Sequence, residues 1–224
     1  MIGLIRVIST LTPSQFASHA DALAPLLREE IVTRAIPDQP EGVHDDATFE
    51  AAVGKVVAVG TQLRAEGARL IIVSCAADPG VAELRAALDI PVIGAGSAGA
   101  AVARAFGGTV GVLGIVPEVP EAISHGLGVA MIASRVPAGV HQTRDLLRPS
   151  AREAALVSAQ QLADAGAGSI LFACTGLTTI GLAADVTQRT GLPVVDAVLA
   201  AGAVAAYPSL LPPTIRPRED QGAS

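Results

Sequence analysis

Short apolar runs alternate with longer Ala-rich stretches along this chain, in the rhythm of repeated βα units. Runs at 2–9, 31–36, 69–74, 90–94, 109–115, 129–133, 169–173 and 193–195 predict strands. The intervening segments 14–28, 46–66, 79–88, 97–106, 149–165, 178–190 and 197–206 predict helices. Near-continuous runs such as "RLIIVS" and "SILFA" suit strands covered on both faces, as in a parallel sheet. Pro13, Pro79 and Pro149 each stand near a predicted helix start, where a missing N–H costs little. From Pro208 onward the chain carries Pro212, Pro213 and Pro217 and ends in charge, which predicts irregular or disordered structure.

The same order of elements occurs twice. "GARLIIVSC" (67–75) and "GAGSILFAC" (166–174) are displaced by 99 positions, and each runs through an apolar strand to a cysteine. "PVIGAGSAGAAVA" (91–103) and "PVVDAVLAAGAVA" (193–205) are displaced by 102, the slip falling in a helix where length varies cheaply. The expected fold is α/β: two similar Rossmann-like or flavodoxin-like lobes with parallel sheets, related by a pseudo-twofold and separated by a cleft. The first lobe is expected to comprise 1–94 plus about 196–224, and the second 95–195. Each lobe then offers one thiol at the carboxyl end of a strand, where such sheets bind ligands.

Composition narrows the classes. Half of the 224 residues are hydrophobic but only 2% are aromatic, so the core must be built from Ala, Val, Leu and Ile. The formal charge of −6, without a Lys/Arg cluster, argues against nucleic acid and anionic membrane surfaces as partners. The apolar run 90–103 is short, rich in Gly and Ala, and bounded by Asp89 and Arg104, so it does not read as a membrane span. "MIGLIRVIST" reads as a first strand rather than a signal peptide, and a soluble, cytoplasmic protein with reduced thiols is expected. Two cysteines, without CxxC spacing or a nearby histidine, argue against zinc and against a disulfide framework.

A single cysteine ending a strand is by default a small buried hydrophobe. Here a turn and a helix start follow each thiol: Asp78-Pro79 after Cys75, and Thr178 or Thr179 after Cys174. Backbone N–H groups and a helix N-terminus near sulfur favour the thiolate. A free thiol of pKa about 8.5 is only roughly 3% ionised at pH 7, so that help matters. Two opposed thiols suit inversion of a stereocentre with an acidic C–H. One removes the proton from one face, the other delivers a proton to the opposite face, and backbone N–H groups hold the enolate oxygen.

The paired cysteine segments and "IPVIGAGSA" resemble the aspartate/glutamate/hydantoin racemase superfamily. The resemblance covers nearly the whole chain, with its specific parts at 67–103 and 166–205. It implies two α/β lobes, a cleft between them, and neither pyridoxal phosphate nor metal, with Cys75 and Cys174 as the acid/base pair. "SCAADPG" is similar to the Cys-x-x-Asp-Pro-Gly pattern of hydantoin and allantoin racemases. Amino-acid racemases of this superfamily typically follow the first cysteine with Asn-Thr, where this chain has Ala76 and Ala77. "RVISTLTP" also departs from the Asn-Pro-Asn-Thr loop of hydantoin racemases, leaving Ser9 and Thr10 to supply hydroxyls.

The implied substrate contacts are Ser9, Thr10, Ala76, Ala77, Asp78, Thr175 and Gly176, with Arg6, Gln39 and Ser74 as further candidates. A small-molecule substrate is expected, with a 5-substituted hydantoin the favoured choice. An amino-acid racemase, an enzyme like maleate isomerase or arylmalonate decarboxylase, and a non-enzymatic binding or sensing protein are the alternatives. A homo-oligomer is expected.

Several residues carry two readings. Arg6, in an apolar strand, is expected either to pair with Asp38 or Glu41 or to hold a substrate carboxylate. The loop "IPDQPEGVHDD" (36–46) either covers the cleft or forms a surface turn. Asp78 is expected to cap the helix at Pro79 or to orient substrate, while Gly94 and Asp196 match in the repeat as strand-end packing or capping positions. "GAGSAG" (94–99) fits neither nucleotide-binding glycine pattern. His19, His44, His125 and His141 are expected to be solvated or capping residues.

Overall fold

The computed structural model describes residues 1–210. Its strands are β1 (Ile2–Arg6), β2 (Ile31–Ala35), β3 (Leu70–Ser74), β4 (Val92–Gly94), β5 (Val110–Leu113), β6 (Met131–Arg135), β7 (Ser169–Phe172) and β8 (Val194–Val195). Each falls within or beside one of the apolar runs. They form two four-stranded sheets, ordered β2-β1-β3-β4 and β6-β5-β7-β8. Every pairing is parallel. The strands β1, β3, β5 and β7 are buried along their whole length, as their unbroken apolar runs demand. In both sheets the order reverses between the first and third strands, so the crevice for ligand opens at their carboxyl ends.

The helices are α1 (Pro13–Leu23), α2 (Asp46–Ala65), α3 (Val81–Ala87), α4 (Ala95–Phe106), α5 (Glu121–Leu127), α6 (Pro149–Asp164), α7 (Gly176–Thr179), α8 (Ala183–Thr190) and α9 (Ala197–Leu210). Pro13 and Pro149 occupy first helical positions. Pro79 does not: α3 begins at Val81 behind Gly80, because Asp78 holds a left-handed φ of 55°. Helix α5 and a 3-10 turn at Thr143–Leu147 are additions to the expected elements. The helix expected at 178–190 is instead broken into α7 and α8, with Gly181 at φ +62° between them. Helix α9 continues to Leu210, past Pro208 where irregular chain is expected; Pro212, Pro213 and Pro217 lie outside the described residues.

The core is aliphatic, with Phe172 the one aromatic among the largest fully buried side chains. The two repeat-related helices cross between the sheets. Helix α4 packs on β7 of the second sheet, α9 packs on β3 and β4 of the first, and the two pack on each other. Gly99 lets α4 lie close on β7, since a Cβ there would come within 2.9 Å of Leu171 Cδ1. No described helix is long and apolar enough to cross a membrane.

Candidate active site

Cys75 follows β3 and Cys174 follows β7, and both line one cavity of about 1080 Å³. They are 7% and 6% exposed, so each is buried yet reaches the cavity wall. The two turns have the same design. The N–H of Asp78 donates to the Cys75 carbonyl at 3.2 Å, and that of Leu177 to the Cys174 carbonyl at 3.1 Å. Each turn leaves the N–H two residues beyond the cysteine aimed at sulfur. Gly176 N–H donates to Cys174 Sγ at 3.4 Å, and Ala77 N–H helps Cys75 in the same way. Gly176 has no room for a side chain, because a Cβ would meet Leu146, Thr143 and the Cys174 sulfur.

Burial dominates both thiols, but their surroundings differ. Cys75 is pushed up to about 12, first by burial, with the charges of Cys174 and Asp78 adding to it and the Ala77 N–H opposing it. Cys174 is also raised by burial, but Gly176 N–H, the Thr143 hydroxyl, Leu177 N–H and the positive charge of Arg6 all oppose the rise. The Thr143 hydroxyl lies 3.9 Å from Cys174 Sγ. Its turn is held by the buried Asp145 carboxylate, which accepts from His141 N–H at 2.9 Å and pairs with Arg148 at 2.8 Å. Cys174 is thus the easier thiol to ionise.

Asp78 does not cap the helix that follows it. Its carboxylate accepts from Gly96 N–H at 2.7 Å and Ser97 N–H at 2.8 Å, capping α4 instead. A side chain at Gly94 would collide with that carboxylate, and one at Gly96 would lie 2.0 Å from the Ala76 carbonyl oxygen. In the second lobe the carboxylate comes from the position matching Gly94. Asp196 accepts from Val198 N–H at 2.8 Å, Leu199 N–H at 3.2 Å and the Thr178 hydroxyl at 2.9 Å, capping α9. One lobe brings the cap from the cysteine turn, the other from the last strand.

Of the expected site residues, Arg6, Ser74, Cys75, Ala76, Ala77, Asp78, Cys174, Thr175 and Gly176 line the cavity. Ser9, Thr10 and Gln39 stand outside its wall. Ser9 Oγ accepts from Gln39 N–H at 3.1 Å, and Thr10 Oγ1 donates to the Pro40 carbonyl at 2.6 Å. Gln39, buried, donates through Nε2 to the Gly42 and Thr48 carbonyls. Those bonds tie the loop 36–46 to the end of β1, and its Gly42–Asp46 portion forms part of the cavity wall.

Two expectations are overturned. Among the described residues Arg6 has no carboxylate partner: Nη1 donates to the Gln15 and Phe16 carbonyls at 3.1 and 3.0 Å, and Nη2 to Thr179 Oγ1 at 3.4 Å. The first-turn carbonyls of α1 and the α7 hydroxyl satisfy the guanidinium where Asp38 or Glu41 was expected. His19 is not solvated but fully buried, bonded to Ser74, Thr175 and Thr179. A sequence signal for it exists: His19 shares the inner face of α1 with Phe16, Ala20 and Leu23, at helical spacing. Thr143 offers no such signal, because nothing local ties its turn to Cys174.

Residues 2–205 match the family of Asp/Glu/hydantoin racemases. The chain belongs to this family. It is therefore a racemase-type isomerase. Allantoin racemase from Klebsiella pneumoniae superposes with a TM-score of 0.78 at 18% identity, covering 92% of this chain and 86% of that one. Allantoin racemase from Pseudomonas fluorescens gives 0.69 at 23% identity, covering 100% and 99%. Glutamate racemase from Thermus thermophilus gives 0.64 at 22% identity, covering 95% and 82%. These likenesses establish the two-lobed fold. Among curated proteins, no sequence matches with comparable significance.

Proposed function

We propose that this racemase inverts a carbon bearing an acidic C–H in a small cyclic amide, a 5-substituted hydantoin, using Cys75 and Cys174 as its acid/base pair and no cofactor. The observation that carries the reading is the arrangement of the thiols: two cysteines from opposite lobes, on matched turns, in the wall of one cavity. The C5–H of such a ring is acidified by the adjacent carbonyl. One sulfur takes the proton as thiolate, the other delivers one to the opposite face as thiol, and the roles reverse for the other enantiomer. Backbone N–H groups of the two turns are the donors for the enolate oxygen.

The choice of a neutral ring rests on what surrounds the sulfurs. Ala76 and Ala77 bring no polar side chain, and three of the five N–H donors of the Arg6 guanidinium are taken by two carbonyls and a hydroxyl. Arg85 and Arg144 also line the cavity, but both are exposed. A free carboxylate beside the thiols would therefore find its one buried cation, Arg6, largely engaged by the protein's own oxygens, which disfavours amino acids, maleate and malonates. The aliphatic walls at Ile8, Val81 and Val119 suit an apolar substituent on the ring. The test is polarimetry with pure enantiomers of 5-substituted hydantoins, aspartate and glutamate, alongside CO2 release from the achiral 2-aryl malonates. Loss of optical rotation with the hydantoins alone supports the reading. Turnover only of the free acids, or of none, refutes it.

A further inference from the structure

His19 is the buried ionisable side chain that the two-thiol chemistry leaves without a task. It projects from α1 of the first lobe and is 0% exposed. Its Nδ1 lies 2.8 Å from Ser74 Oγ, while Nε2 lies 2.9 Å from the Thr175 carbonyl and 3.0 Å from Thr179 Oγ1. A carbonyl only accepts, so Nε2 carries the proton, leaving Nδ1 bare to accept from the Ser74 hydroxyl. That assignment requires a neutral ring. Burial, then the nearby Arg6 charge, hold its pKa well below the ordinary value.

The partners are what give the contact meaning. Ser74 immediately precedes Cys75, and Thr175 immediately follows Cys174. The same two residues are bonded directly as well, Thr175 Oγ1 donating to the Ser74 carbonyl at 3.2 Å. Arg6 anchors the far side of this bridge, joining the start of α1 to Thr179. One rigid imidazole thus spans from the residue beside one thiol to the residue beside the other, across the two lobes.

We propose that His19 is a positioning residue that sets the spacing and facing of Cys75 and Cys174, and so decides whether a proton taken from one face is followed by delivery to the other. The proposal rests on the two-thiol racemase reading. Removing the bridge leaves each thiol on its own turn, able to take and return a proton on its own side. What fails is the hand-over between sides. Misplacing a reacting group by about 1 Å costs up to about 100-fold in rate.

The experiment is racemisation in deuterated buffer with a pure enantiomer of a 5-substituted hydantoin, following inversion and C5–H exchange together. In His19→Leu, inversion is expected to fall about 10- to 100-fold more than exchange with retention, with KM nearly unchanged. His19→Gln, which offers a donor and an acceptor in the same place, should recover part of the inversion. A structural defect that merely lowers the amount of active enzyme reduces both rates equally, and that result overturns the proposal. Where His19→Leu does not fold, Ser74→Ala removes only the donor to Nδ1, and its inversion must fall more than its exchange or the proposal is wrong. If wild-type enzyme neither exchanges nor inverts, the hydantoin reading fails by itself. Bifunctional methanethiosulfonates of graded length then test the spacing without turnover: one preferred span in wild type, lost in His19→Leu, supports it, and an unchanged span overturns it.

Discussion

Replacing Asp78 with asparagine keeps the side chain's size and its tolerance of a left-handed backbone, but removes the carboxylate charge beside Cys75. The structure gives the change two effects of opposite sign. Asp78 accepts from two N–H groups of α4, at 2.7 and 2.8 Å. Asparagine has one carbonyl oxygen, so one buried donor loses its acceptor and the other bond loses its charge. Hydrogen bonds to charged groups contribute about 1.5–3 kcal/mol, and an N-cap about 1 kcal/mol. The relief of no longer burying a charge offsets part of this, leaving a net loss of about 1–2 kcal/mol. In a chain of this size that is a fall of about 3–6 °C in Tm. Asp78→Ala orphans both donors and places alanine at φ 55°, so its loss is about 3–4 kcal/mol. The thiol responds the other way, because the Asp78 charge is one cause of the raised Cys75 pKa. Removing that charge lets more of Cys75 stand as thiolate at a given pH. In a Cys174→Ser background, iodoacetamide at pH 8 reads Cys75 alone, and denaturant unfolding reads stability. A less stable Asp78→Asn protein whose Cys75 alkylates faster fits the geometry. Unchanged stability, or slower alkylation, refutes it.

Gly96→Ala should be among the most damaging small substitutions, because its Cβ would lie 2.0 Å from the Ala76 carbonyl, which is backbone and cannot swing aside. Soluble yield and Tm of Gly96→Ala against Gly54→Ala, where a Cβ meets nothing, check this. The buried neutral His19 predicts acid sensitivity: with its folded pKa below 6.5, the unfolded chain binds the proton first. Stability from this residue is complete above about pH 6.5 and falls by about 1.4 kcal/mol per unit below it. Unfolding of wild type and His19→Gln from pH 5 to 8 should therefore show a difference that is flat above pH 7 and shrinks below. Cys75 gives the mirror effect in base, since its thiol ionises near 9 when unfolded but at about 12 when folded. Stability should fall with rising pH from about 9, and Cys75→Ala should lessen that slope, leaving the share of Cys174.

The strands and the repeat were legible because their signal is local. The central strands are unbroken apolar runs, and the matched cysteines sit at fixed distances from Gly-Ala pairs. Helix α5 was not, since "EAISHGL" lies in a Pro- and Gly-rich stretch and is marked only by Pro120 before it and Gly128 after it. The candidate site divides along the same line. The cysteines and the residues adjoining them were readable as motifs. The carboxylate of Asp78 caps a helix 18 residues away, His19 reaches partners 55 and 156 residues away, and Thr143 approaches Cys174 across 31. Neighbouring sequence offered Asp78 the wrong helix and Arg6 the wrong partners, because long-range packing decided both.

The central claim is that two thiols face one carbon from opposite sides, and isotope exchange in single-thiol variants tests it most directly. Cys75→Ser and Cys174→Ser are each mixed with the two pure enantiomers of a 5-substituted hydantoin in deuterated buffer, and C5–H loss and inversion are followed by NMR and polarimetry. Neither variant should interconvert the enantiomers above the uncatalysed rate. Each should still exchange the proton of one enantiomer, and the two variants should choose opposite ones. Racemisation by either variant at the wild-type rate, or exchange of the same enantiomer by both, would contradict the account.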